Sequence, residues 1–123
     1  MEENTSERNI EQALRKKIED SIPGAKCLKF VSPGYSGVPD RIILLPGGRV
    51  AFVELKRPGK TPRQRQLFVQ SRLRRLGFRV FGCVDSMSSV DEVVHYCWSV
   101  GLVGRATREK AEREEARGSG DGV

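Results

Sequence analysis

The sequence predicts an α/β domain whose elements follow the order helix, three strands, helix, strand, helix. Two patterns indicate this: apolar residues at helical spacing near the N-terminus and after residue 61, and short apolar runs bounded by turn residues between them. The length of 123 residues suits one domain. We expect that domain over residues 4–103. Residues 104–123 should form a charged tail, flexible or helical, because they lack large apolar side chains before Val123.

The first part of the chain predicts a helix, a strand and a loop. A helix from about Thr5 to Asp20 is indicated by apolar side chains four residues apart, namely Ile10, Leu14 and Ile18. Residues 25–31 alternate between polar and apolar and predict a short strand. Residues 32–38 contain a proline and two glycines, which predicts a mobile loop.

A β-hairpin is predicted next. The apolar runs at residues 40–45 and 50–55 are joined by Pro46-Gly47-Gly48-Arg49, and two consecutive glycines between strands are a turn signal. A hairpin centred on Gly47 places Asp40 opposite Glu54, since each lies seven residues from the turn. A shift of the register by one residue would still leave the two acids as near neighbours.

The second half predicts a helix, a strand and a last helix. Thr61, Pro62 and Gln64 are typical of a helix start, with a cap, a proline in the first turn and a capping partner. The apolar face of this helix is expected to be buried: Leu67, Phe68, Leu73 and Leu76. Residues 78–84 predict a fourth strand, and Ser89 with Glu92 predicts the cap of a final helix through Trp98.

Composition excludes several classes of protein. No apolar run of about 18 residues is present, so no membrane span is expected, and the acidic start of the chain is unlike a secretory signal. Three cysteines without a C-x-x-C pair argue against a disulfide framework or a structural zinc site and favour a reducing compartment. The single histidine, His95, excludes mechanisms that need two, so catalysis would depend on carboxylates and lysine.

Positive charge is concentrated in one segment. The chain carries a formal charge of +6, and residues 56–84 contain nine basic side chains and no acidic one. A solvated helix face is the alternative interpretation, but such faces usually mix both signs. A field of one sign attracts polyanions and indicates contact with nucleic acid.

The two hairpin acids have a lysine beside them. Directly opposed carboxylates repel each other unless a cation lies between them, and a hard divalent cation is the natural candidate. Glu54 and Lys56 are two residues apart on one strand, so they point to the same face of the sheet. The alternative is that Asp40 and Glu54 merely begin and end strands in solvent. Because an acid pair and a lysine converge beside the basic segment, we interpret them as a catalytic site.

These motifs resemble a known family. Pro39-Asp40 followed by Glu54-Leu55-Lys56 resembles the core of the PD-(D/E)XK nucleases. The longer strings Gly37-Val38-Pro39-Asp40-Arg41 and Glu54-Leu55-Lys56-Arg57-Pro58-Gly59, with Gln66 and Gly77, resemble the VRR-NUC branch, which includes small stand-alone proteins of phages and bacteria. The resemblance extends from about Ser6 to Val84. It implies a restriction-endonuclease-like core, with a mixed central sheet flanked by helices and an extra C-terminal helix.

The resemblance also implies roles for particular residues. Asp40, Glu54 and the backbone carbonyl of Leu55 would bind Mg²⁺ or Mn²⁺, and a glutamate of the first helix would complete the site. Glu7 fits the family spacing best, while Glu11 stays open as the alternative. Lys56 would position or activate the attacking water and stabilise the phosphate, and Gln66 would contact the metal shell or the phosphate.

The implied activity is metal-dependent DNA hydrolysis. The expected DNA-binding residues are Lys29, Tyr35, Arg57, Lys60, Arg63 and Arg65. For Tyr35, packing in the core is an equal alternative to stacking on a base. Branched, flap or junction-like DNA is the expected substrate, in replication, repair or recombination, with a homodimer and a location in the cytoplasm of a bacterial or phage-infected cell. The alternative function is a non-catalytic nucleic-acid-binding module that retains the nuclease fold.

Overall fold

The computed structural model describes residues 6–121, and the side chains of all of these except 102–108 and 119–121. The elements follow the predicted order: α1 (Glu7–Ser21), β1 (Lys26–Lys29), β2 (Arg41–Leu45), β3 (Arg49–Leu55), α2 (Gln64–Arg75), β4 (Arg79–Val84) and α3 (Met87–Asp121). The predicted helix start at Thr5 and the domain boundary at residue 4 lie outside the described residues.

The four strands form one mixed sheet in the order β1-β2-β3-β4. β1, β2 and β3 are antiparallel neighbours, and β4 is parallel to β3. In the hairpin, Leu45 pairs with Arg49 and Arg41 pairs with Val53. One further step along this ladder places Asp40 opposite Glu54. The structure therefore confirms the register centred on Gly47, where a positive φ of 83° allows the tight turn.

The main core lies between the sheet and the helices α1 and α3. Alternate residues of β2 and β3 point to this side, and they pack against one stripe of each helix. The buried cluster includes Ile43, Leu45, Ala51, Val53 and Leu55 of the sheet, Ile10, Leu14 and Ile18 of α1, and Val90, Val93 and Cys97 of α3. The predicted apolar face of the first helix is thus the buried one.

The opposite face of the sheet is only partly covered. The Phe52 ring lies 5.6 Å from that of Phe30 and 5.3 Å from that of Phe78, between ring centroids. At this face Leu28 remains 44% exposed and Leu44 38% exposed, so an apolar patch faces solvent beyond the aromatic group.

Helix α2 begins later than the sequence predicts. A turn precedes it, in which the Lys60 N–H donates to the Arg57 carbonyl, and the chain remains extended until the cap residue Arg63. Arginine has no side-chain acceptor. The cap is instead made by the third helical residue, Gln66, whose Oε1 accepts from the Arg63 N–H at 2.9 Å. The prediction of Thr61 as the cap is wrong.

The predicted buried face of α2 is also wrong. Leu67 is 50% exposed, Phe68 46% and Leu76 74%, whereas Val69 and Gln70 are buried. The reason is that α2 packs against the outer edge of β4, whose carbonyls have no strand partner there. Gln70 Nε2 donates to the Gly82 carbonyl and Arg74 to the Val80 carbonyl, both at 3.0 Å. Polar groups therefore determine which face of this helix is buried.

Helix α3 starts two residues before the predicted cap. Ser86 precedes the helix, and its Oγ accepts from the Ser89 N–H at 3.1 Å, while Ser89 Oγ accepts from the Ser86 N–H at 3.0 Å. The helix continues to Asp121 with exposed side chains over residues 109–118. The division between domain and tail stays a prediction. Across the described part of the chain, none of the helices is both apolar and long enough to traverse a bilayer.

Candidate active site

The hairpin register holds two carboxylates together at one end of the sheet. Asp40 directly precedes β2, and Glu54 is the penultimate residue of β3. The Leu55 N–H donates to Asp40 Oδ2 at 2.8 Å, which fixes the Asp40 carboxylate against the end of β3. Asp40 is half-buried, and Glu54 is only 1% exposed.

The buried Glu54 side chain has hydrogen-bonding and ionic partners at only one of its two carboxylate oxygens. Its Oε2 accepts from Gln66 Nε2 at 2.8 Å and lies 3.4 Å from Lys56 Nζ. Its Oε1 is buried and has no hydrogen-bond partner among the described atoms. The four residues predicted to be catalytic, Asp40, Glu54, Lys56 and Gln66, are therefore brought together. Gln66 also caps α2, so it joins the helix start to the carboxylate.

Burial changes the acidity of this site. Desolvation, and to a lesser extent the nearby Asp40 carboxylate, raise the pKa of Glu54 to about 7, while Lys56 opposes the rise. A buried carboxylate with a like charge beside it is strongly stabilised when a cation binds to it.

The donors fit a hard divalent cation. Glu54 Oε1 is an unpaired buried oxygen, Asp40 supplies a second carboxylate, and oxygen donors are those that Mg²⁺ and Mn²⁺ prefer. Within residues 6–121, however, no group of three histidine, cysteine or acidic side chains is close enough to hold a metal ion. The fit rests on the Asp40–Glu54 pair.

Two clefts open beside this pair and share Glu7. The first has a volume of about 240 Å³ and is lined by Glu7, Glu11, Lys29, Phe30, Asp40, Arg41 and Leu55. The second has a volume of about 370 Å³ and is lined by Glu7, Lys56, Arg57, Lys60, Thr61 and Arg63. Lys29 thus lies beside Asp40, while three predicted DNA-binding cations surround the cleft that contains Lys56.

The structure distinguishes the two candidate glutamates of α1. Glu11 Oε2 forms an ion pair of 2.8 Å with Arg41, whose side chain is only 13% exposed. Glu7 has no hydrogen bond or ion pair among the described residues, and it lines both clefts. Sequence reasoning missed Arg41 as the partner of Glu11. The feature that could have indicated this contact is the position of Arg41 directly after Asp40, at the end of the hairpin that faces α1.

Tyr35 lies on the surface and not in the core. It is 43% exposed, and the Arg65 guanidinium lies 4.8 Å from its ring centroid. Arg65 Nε also donates to the Ser36 carbonyl at 3.0 Å. These contacts anchor the loop before Asp40 to α2, so the alternative that Tyr35 packs in the core is wrong. Its alternative role as a base-stacking residue stays a prediction.

The raised pKa of Glu54 predicts that metal-free protein loses stability as pH rises. This carboxyl group ionises near pH 4.5 in the unfolded chain and near pH 7 in the folded protein. Its stabilising protonated form is fully present below the lower value and is lost as pH rises through the higher one. In EDTA, we expect the free energy of unfolding to fall by up to about 3 kcal/mol between about pH 5 and about pH 8.

Urea unfolding at each pH measures this loss, and Glu54→Gln is the control because its amide does not ionise. The decrease should be smaller in Glu54→Gln by the amount assigned to Glu54. Parallel pH profiles for the two proteins would show that Glu54 does not ionise near neutral pH.

Comparison with known proteins gives two similarities, while no protein-family model matches the chain. A curated protein, "Putative nuclease p44" of Acyrthosiphon pisum secondary endosymbiont phage 1, is 45% identical over 74 residues, which cover 60% of this chain and 77% of that protein. A solved structure described as "VRR_NUC domain" superposes with a TM-score of 0.66 at 32% sequence identity. This superposition covers 74% of this chain and 96% of that one.

Proposed function

Because the chain belongs to the VRR-NUC family of nucleases and has its restriction-endonuclease-like fold, we propose that it is a metal-dependent endonuclease that hydrolyses DNA phosphodiester bonds. The observation that carries this proposal is the buried Glu54, whose Oε1 lacks a partner while Asp40 and Lys56 lie beside it. A buried, unpaired carboxylate oxygen is costly for a structural residue and useful for one that binds a cation.

Asp40, Glu54 and the Leu55 carbonyl would hold Mg²⁺ or Mn²⁺, with Glu7 contributing from α1. When bound, the cation supplies charge neutralisation at the phosphate and an activated water. Lys56 adds a fixed positive charge beside Glu54 and orients the attacking water at the phosphate. Gln66 donates to Glu54 Oε2, which keeps the carboxylate in one orientation and leaves Oε1 for the cation.

The DNA backbone would follow the cations around the two clefts. Lys29 lies at the cleft of Asp40, and Arg57, Lys60 and Arg63 lie at the cleft of Lys56. Contacts of this kind bind phosphates without reading sequence, which favours recognition of DNA shape. We therefore assign branched, flap or junction-like DNA as the substrate. Such substrates arise in replication, repair and recombination, here in the cytoplasm of a bacterial or phage-infected cell.

A homodimer is the assembly that suits a symmetric junction. Two copies related by a two-fold axis would present two catalytic sites to opposite strands. The exposed Leu28 and Leu44 on the uncovered face of the sheet support association through an apolar surface.

Incubation of the 123-residue protein with labelled DNA structures tests this function. The panel contains a single strand, a plain duplex, a flap and a four-way junction, each with Mg²⁺, with Mn²⁺ and with EDTA. We expect cleavage with either metal, none with EDTA, and faster cleavage of branched DNA than of duplex. A dimer should cut a junction by paired, symmetric nicks. Cleavage that persists in EDTA, or binding to every DNA without any cleavage, would favour the non-catalytic module instead.

A further inference from the structure

An exposed stack of aromatic rings and guanidinium groups lies along α2. The Arg65 guanidinium carbon is 4.8 Å from the Tyr35 ring centroid and 5.2 Å from that of Phe68. The Arg72 guanidinium carbon is 5.1 Å from the same Phe68 centroid. Tyr35, Arg65, Phe68 and Arg72 therefore form one set of contacting side chains. We call this set the stacking surface.

The stacking surface is not part of the core. Residues 65, 68 and 72 share one stripe of α2, and the stripe that faces the sheet contains Gln66, Val69 and Gln70. Phe68 is 46% exposed and Tyr35 is 43% exposed, so each ring leaves a large part of its surface to solvent. Exposed aromatic side chains between charges are typical of a binding surface.

The stacking surface adjoins the candidate active site through two short connections. Arg65 is next to Gln66, whose amide donates to Glu54. Tyr35 lies five residues before Asp40, and Arg65 Nε holds the Ser36 carbonyl of the same loop. The rings therefore lie on the same loop and helix that position the candidate active site.

The chemistry of the stacking surface favours a nucleic acid whose base faces are exposed. Its two guanidinium groups belong to a segment, residues 56–84, that contains no acidic side chain. Guanidinium groups bind phosphates, and aromatic rings stack on bases without regard to sequence. In a duplex the base faces are covered by their neighbours, so only unpaired bases offer them to a protein.

We propose that Tyr35, Arg65, Phe68 and Arg72 bind unpaired DNA bases next to the cleavage site. This inference rests on the proposed function for its substrate, and it makes a single-stranded segment beside the cut part of what the enzyme recognises. It also gives a role to the Phe68 ring, which is 46% exposed.

Equilibrium binding in EDTA tests the stacking surface without any need for cleavage. Fluorescence anisotropy is measured with an oligothymidine of about 12 nucleotides and with a blunt duplex of about 20 base pairs. Phe68→Ala should weaken binding of the oligothymidine at least about fivefold, the loss of one base stack. Its affinity for the duplex should change less than about twofold.

Two further variants separate stacking from a general effect on structure. Leu67→Ala is the matched control, because Leu67 is also half-exposed on α2 but makes none of these ring contacts. It should bind both DNAs like the wild type. Phe68→Trp keeps a ring and should retain the affinity for oligothymidine. Equal loss for duplex and oligothymidine in Phe68→Ala, loss of affinity in Phe68→Trp, or unchanged binding in Phe68→Ala would each overturn the proposal.

The outcome is independent of catalysis, because the wild type is scored separately for cleavage with Mg²⁺. A wild type that binds through Phe68 but cuts no DNA would reject the proposed function and retain the stacking surface.

Discussion

Asp40→Asn is expected to slow DNA cleavage at least about a hundredfold, the scale of removing one preorganised charge-stabilising group. DNA affinity in EDTA should stay close to that of the wild type. Asparagine keeps an oxygen that accepts from the Leu55 N–H, so the local fold is preserved. The substitution removes the charge that faces Glu54, and with it one of the two carboxylates assigned to the cation. Single-turnover cleavage of the preferred DNA measures the change.

The matched control is Asp91→Asn, which removes the same charge from an exposed residue of α3 that pairs with Lys17. This variant should cleave like the wild type. Lys56→Ala is the companion variant and should lose cleavage through loss of the cation next to Glu54. If Asp40→Asn cuts DNA as fast as Asp91→Asn, the assignment of the site to the hairpin acids is wrong.

Gly37→Ala is expected to lower the free energy of unfolding by about 1–3 kcal/mol, because it combines backbone strain with a steric clash. Gly37 has a φ of +87°, and a Cβ built there would lie 2.7 Å from Arg65 Cγ and 3.1 Å from the Arg65 carbonyl oxygen. The loop must therefore move away from α2. Because Asp40 follows in the same loop, cleavage should fall as well. Urea unfolding in EDTA measures the stability.

The same loop provides the control for this prediction. A Cβ at Gly34 would meet no atom within 4 Å, and its φ lies outside the left-handed region. Gly34→Ala should therefore be close to neutral in both stability and cleavage. Equal destabilisation by the two substitutions would show that the contact of Gly37 with α2 does not hold the loop.

The part of the site that depends on local chain geometry was predictable from sequence. Gly47 and Gly48 fix a tight turn, and the turn fixes the register that places Asp40 opposite Glu54. The alternation of side chains then puts Glu54 and Lys56 on one face, where Lys56 Nζ lies 3.4 Å from Glu54 Oε2. Neither step requires knowledge of distant residues.

The orientation of α2 was not predictable in this way. Its apolar residues, Leu67 and Phe68, suggest one buried face, but the helix buries Val69 and Gln70 instead. The deciding groups are the outer carbonyls of β4, which exist only once that strand has paired with β3. The same reasoning applies to Gln66, which caps the helix and holds Glu54 at once. Its amide oxygen accepts from the start of α2, and its amide nitrogen donates to Glu54 of β3.

The different surroundings of Glu7 and Glu11 also depend on a tertiary contact. The two glutamates lie one turn apart on α1, and although Glu7 fits the family spacing best, the sequence leaves Glu11 open as the alternative. The ion pair between Glu11 and Arg41 separates them, because it joins α1 to the start of β2.

The sheet topology has a consequence for the order in which the protein folds. Asp40 and Glu54 are joined by an antiparallel hairpin, so their encounter requires the closure of only a short loop. The parallel strand β4 reaches β3 only after the chain has formed the α2 crossover, and such non-local pairing is slower. We expect the two carboxylates to meet early in folding, before Gln66 arrives to bind one of them. The like charges would then repel each other until Gln66 and the rest of the site are in place, a kinetic cost of placing two acids on the most local turn of the chain.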